Sequence, residues 1–94
     1  MPVYISLIRW TDQGRKVASS LPERVGQVDK RIQDMGGKSL GNYLTMGQYD
    51  QIALVEAPDD ATAAKLLMVV AERGNATTET LRAFTMDEVS GLLK

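Results

Sequence analysis

The chain has 94 residues, 44% hydrophobic and 24% charged, with a net charge of −1, the size and composition of one soluble globular domain spanning residues 1–94. It contains no cysteine and no histidine, which excludes disulfides, thiolate catalysis, imidazole or thiolate metal ligation and histidine-based acid–base chemistry. Lys and Arg are scattered and no run approaches the roughly 18 apolar residues of a membrane span, so neither nucleic acid nor membrane is an expected partner, and the cytoplasm is the expected compartment.

From the N-terminus, "PVYISLIRW" (2–10) is a strand whose two alternating residue sets are both apolar, so both faces are expected to be covered. "TDQGRKVASS" (11–20) reads as a turn with a short helical piece, weakened by Gly14. Ser20 and Glu23 have the spacing of a capping box, with Pro22 tolerated in the first turn. Val25, Val28, Ile32 and Met35 then make one helical stripe, which Gly36-Gly37 ends.

"KSLGNYLTM" (38–46) and "YDQIALVEA" (49–57) are the second and third strands. Pro58 stops the third, and Asp59 is placed to cap a helix over 60–73, closed by Gly74-Asn75. "ATTETLRAFT" (76–85), rich in β-branched residues, is the fourth strand, and "MDEVSGLLK" a short terminal helix. The order is that of an α+β, ferredoxin-like βαββαβ fold: a four-stranded antiparallel sheet with two helices on one face, plus the C-terminal helix.

A two-residue hairpin turn at Gly47-Gln48, with glycine where positive φ is required, sets Tyr43 opposite Ile52 and Thr45 opposite Asp50. Leu40, Leu44, Met46, Ala53 and Val55 then face the helices. Tyr43, Thr45, Asp50, Ile52, Leu54 and Glu56 face away, and the same alternation adds Tyr4, Ser6, Ile8, Trp10, Thr78, Thr80, Arg82 and Phe84 to that open face. So apolar a face predicts sheet-to-sheet packing in a homodimer or higher homo-oligomer. A domain of this size buries only about 60–65% of its unfolded surface, which favours the same outcome.

Polar residues on that face make it the expected site. Tyr4, Ser6, Trp10, Tyr43, Thr45, Tyr49 and Arg82 are the candidate ligand-binding residues. Asp50 and Glu56 are the candidate catalytic bases, should the site be an enzyme's, with tyrosines and Arg82 as donors to an oxyanion. Each also has a plainer reading: Gly47 as a structural turn glycine, Asp50 as a carboxylate bonding hairpin backbone, the aromatics as packing residues, Glu56 and Arg82 as solvated or paired charges. No cofactor and no metal are expected.

The stretches "YISLIRWTDQG", "YLTMGQYD", "VEAPDD" and "TETLRAFT" occur in the order in which similar stretches occur in GYD-domain proteins, a family named for Gly-x-Tyr-Asp, here Gly47, Tyr49 and Asp50. The chain resembles that family over nearly its whole length. The resemblance implies a ferredoxin-like fold related to dimeric α/β barrels, a group that includes cofactor-free oxygenases, isomerases and ligand-sensing domains. It carries over no catalytic residues, and fold analogy does not choose among those activities. The expected function is an oligomeric small-metabolite-binding module using the open face of its sheet. The alternative is a cofactor-independent oxygenase or isomerase with a carboxylate base at the sheet interface.

Overall fold

The computed structural model describes all residues, Met1–Lys94. Four strands, β1 (Val3–Trp10), β2 (Lys38–Leu44), β3 (Gln51–Glu56) and β4 (Ala76–Ala83), form one sheet in the order β2-β3-β1-β4. All pairings are antiparallel. The helices are α1 (Asp12–Lys16), α2 (Leu21–Asp34), α3 (Asp60–Glu72) and α4 (Met86–Leu92). This is the α+β, ferredoxin-like arrangement expected from the element order.

Local chemistry accounts for most boundaries. Asp59 caps α3, its carboxylate accepting from Thr62 N–H at 2.8 Å, as expected. Gly36 and Gly74, with φ of 86° and 71°, follow α2 and α3 where the chain must leave the helical conformation. The expected capping box at the start of α2 is absent. A 3-10 turn, Ala18–Ser20, runs directly into that helix, and the Ser20 hydroxyl donates to Val17 C=O at 2.7 Å instead. A capping box forms at α4, between Thr85 and Glu88.

Gly14 is buried in α1 because this short helix docks on the turn that joins α3 to β4. A Cβ there would stand 2.0 Å from the Asn75 carbonyl oxygen.

Strand register corrects the expected faces. Tyr43 does lie opposite Ile52, but pairing ends at Leu44–Gln51, with one more bond from Thr45 N–H to Asp50 C=O. The connection is therefore a loop over 45–50, not a two-residue turn, and within it Gly47 has φ of 115°. On β1, Tyr4, Ser6 and Ile8 pair with Val55, Ala53 and Gln51, and with Arg82, Thr80 and Thr78 on β4. Partners share a face, and this one lies under the helices. Tyr4, Ser6, Ile8, Trp10, Thr78, Thr80 and Arg82 are thus on the helix side, not the open side.

The reason is that β1 is apolar in both phases, so alternation alone does not orient it. Pairing with Ala53 and Val55 does. The open side instead carries Val3, Ile5, Leu7 and Leu81, with Tyr43, Ile52, Leu54 and Glu56 there as expected. Leu40 is the unpaired extra residue where the β2–β3 register shifts, and Leu44 and Met46, expected inside, are 71% and 97% exposed on the edge strand and its loop.

Little of the chain is deeply buried. Tyr4, Ala57 and Ala63 cluster where α3 begins, and no large side chain is wholly enclosed. Between sheet and helices the structure keeps open space.

Candidate functional site

That space is a cavity of about 140 Å³. Its floor is the helix side of all four strands, and its roof is the apolar stripes of α2 (Val25, Val28, Ile32) and α3 (Leu66, Leu67, Val70). The stripe that the sequence marks as core therefore roofs a hollow.

The floor carries polar groups that satisfy one another. Ser6 Oγ and Thr80 Oγ1 are 2.8 Å apart. Trp10 Nε1–H donates to Gln51 Oε1 at 3.1 Å, and Gln51 Nε2 donates to Asn42 Oδ1 at 2.5 Å. Gln51, only 7% exposed, is held by this chain of bonds, as a buried amide requires. Of the charged residues only Arg24, Asp29 and Arg73 line the cavity.

Tyr4 closes one end. It is 6% exposed, and its hydroxyl donates to the Asp60 carboxylate at the start of α3. Burial, and then that hydrogen bond, push its phenol up to about 12. Tyr4, Ser6 and Trp10, three of the predicted ligand residues, thus come together in one cavity, on the side of the sheet opposite to the one expected.

The other predicted residues do not join them. Arg82 leaves the cavity to stack over Phe84, 4.2 Å from the ring centroid, and reaches Glu88 at 3.9 Å. Tyr43 is 58% exposed on the open face. Thr45 Oγ1 donates to Tyr49 C=O at 2.6 Å inside the loop. Tyr49 lines a separate shallow groove with Arg9, Gln48 and Glu79. Its hydroxyl donates to Glu79 at 2.7 Å, which raises its pKa, and Arg9 lies 5.0 Å from its ring centroid.

Asp50 has a structural contact of its own. Its carboxylate accepts from the Trp10 N–H at 2.8 Å, while its own N–H donates to Ile8 C=O at 2.9 Å. The Gly-x-Tyr-Asp segment therefore clips the hairpin loop to the end of β1, with Gly47 in the loop, Asp50 on the β1 backbone and Tyr49 on β4. Glu56 stands opposite Val3 and Lys38 and, like Asp50, does not line the cavity.

Sequence reasoning missed Asn42, Gln51 and Arg24 as cavity residues. Gln51 carried a signal, being a polar residue in the same alternating set as Ala53 and Val55. Arg24 carried only its spacing, four residues before Val28 on the same helical face, and its charge makes it read as surface.

The GYD domain profile matches residues 4–93. The chain belongs to the GYD family. A relative from Thermus thermophilus is 35% identical over the full length of both chains, and is named as a glutamine synthetase and cystathionine beta-lyase binding protein. A crystal structure of a Thermus thermophilus protein shares the fold, with a TM-score of 0.56 and 25% identity over 90% of this chain and 95% of that one. No helix of the GYD chain is long and apolar enough to cross a membrane.

Proposed function

We propose that this GYD protein is a binding module that holds a small molecule between its sheet and its helices and assembles through the open face of the sheet. The observation that carries this reading is the cavity itself: about 140 Å³ with mostly apolar walls and a few fixed polar groups, the usual make-up of a small-molecule site. The alternative, an enzyme with Asp50 or Glu56 as base, has less support, because both carboxylates are remote from that cavity. Native mass spectrometry of the purified protein tests the proposal. A retained small mass, or one acquired from a metabolite mixture with a matching rise in Tm, is expected. A chain that takes up nothing from such mixtures and shows no thermal shift overturns it.

The name of the Thermus relative favours a second reading, compatible with the first: that this chain also docks on a metabolic enzyme, of the glutamine synthetase or cystathionine beta-lyase kind. Such a role places it in the cytoplasm. Size-exclusion chromatography with each enzyme from the same source checks it. Co-elution is expected, and separate elution at micromolar concentrations of both sets the reading aside.

A further inference from the structure

The cavity is polarised, and one of its polar groups lacks a partner. Arg24 lines it from the first turn of α2. One amino group of the guanidinium donates to Val17 C=O at 3.2 Å. Its Nε–H is buried and makes no hydrogen bond, although every other polar side-chain atom buried to that degree has a partner.

No carboxylate pairs with Arg24, since the ion pairs of the molecule are Arg15–Asp12 and Arg82–Glu88. Arg73, at the C-terminal end of α3, is a second cation on the wall, and Asp29 is the one anion there. The lining therefore carries one net positive charge. An Nε–H left without an acceptor is a costly arrangement, and the guanidinium, only partly buried, presents once turned toward the cavity a planar fork that matches a carboxylate's two oxygens.

Size limits the remainder of the ligand. A dry apolar cavity of about 150 Å³ holds one benzene ring, and this one, close to that volume but open on one side, seats a body of that size. Val28 and Leu67 on the roof, with Trp10 on the floor, suit an apolar body rather than a sugar or a nucleotide.

We infer that the cavity takes a monocarboxylate with a compact, ring-sized apolar body, its carboxylate received by Arg24 and its body held between the sheet and the two helices. This rests on the reading above that the cavity holds a small molecule, and names the class of that molecule.

The chain has one tryptophan, and Trp10 lines the cavity, so its fluorescence reports occupancy. Benzoate, phenylacetate, phenylalanine and benzyl alcohol are titrated into the wild-type protein and into Arg24→Gln. Benzoate and phenylacetate are expected to bind at least about tenfold more tightly than uncharged benzyl alcohol, the range of a charge-assisted hydrogen bond. Arg24→Gln should remove that preference and leave benzyl alcohol unchanged.

Equal binding of benzoate and benzyl alcohol to wild type overturns the carboxylate assignment while leaving the cavity reading in place. Tighter binding of phenylalanine than of phenylacetate overturns the monoanion, because the ammonium would then be meeting Asp29. Silence toward all four, with no change in Tm, counts against both the class and the cavity. Should Arg24→Gln fail to fold, the wild-type comparison still decides, together with the NMR shift of the Arg24 Nε–H, which benzoate must move and benzyl alcohol must not.

Discussion

Tyr4 ties the sheet to α3 through a single proton, held between a buried phenol and the Asp60 carboxylate. The fold favours the neutral phenol, moving its pKa from 10.0 to about 12. The folded state thus binds that proton more tightly than the unfolded chain. The resulting stabilisation is complete below pH 10 and lost as pH rises through 12. Urea midpoints measured across this window should fall more steeply for wild type than for Tyr4→Phe, which has no proton to lose. Phenolate absorbance of the native protein should show Tyr4 titrating late, with Tyr49 also displaced upward by Glu79. Parallel slopes for wild type and Tyr4→Phe would show that some other group governs alkaline unfolding.

At the scale of elements, two small contacts fix how the pieces meet. Adding a methyl group at Gly14 sets it 2.0 Å from the Asn75 backbone oxygen, and backbone does not yield as a side chain tip does. Gly14→Ala should cost roughly 1–3 kcal/mol in chemical denaturation, though alanine is the better helix former. Asp50→Ala should cost a similar amount, roughly 1–3 kcal/mol, by freeing the Trp10 N–H, and hydrogen exchange at that amide should quicken. Unchanged stability and unchanged exchange at the Trp10 amide would remove the clip assigned to Asp50.

The sequence makes the elements legible because each boundary has local chemistry: Pro58 and Asp59 before α3, Gly36 after α2, β-branched residues in β4. It orients the β2–β3 hairpin too, since Tyr43–Ile52 pairing follows from the chain's own reversal. It does not orient β1, whose residues are apolar in both phases, and whose facing is decided by β3, more than 40 residues away. That one ambiguity puts Tyr4, Ser6 and Trp10 on the wrong side of the sheet, while still marking them as site residues. The hollow under the helices is hidden for a different reason: an apolar stripe looks the same whether it fills a core or roofs a cavity.

For the whole molecule, the balance of covered and uncovered surface argues for a second copy. Only 7 of 94 residues are buried, and the radius of gyration, 13.9 Å, exceeds the roughly 12 Å of a compact chain this long. Ile5, Leu7, Ile52 and Leu54 lie on the two central strands of the open face and stay partly exposed. Fully burying an exposed side chain of this size gives about 1.5–3 kcal/mol, and covering these half-buried ones gives a fraction of that each. Face-to-face dimerisation is the proposed arrangement that covers them while leaving the cavity on the far side free. Light scattering should then give twice the 10.3 kDa chain mass for wild type at micromolar concentration. Leu54→Glu sets a carboxylate from each copy into the apolar centre and should weaken association by roughly two to four orders of magnitude. The variant should keep its far-UV spectrum and its response to cavity ligands, because Leu54 faces away from both helices. A wild-type monomer, or a Leu54→Glu dimer as tight as wild type, would assign the exposed face to another partner and remove the second copy from the account.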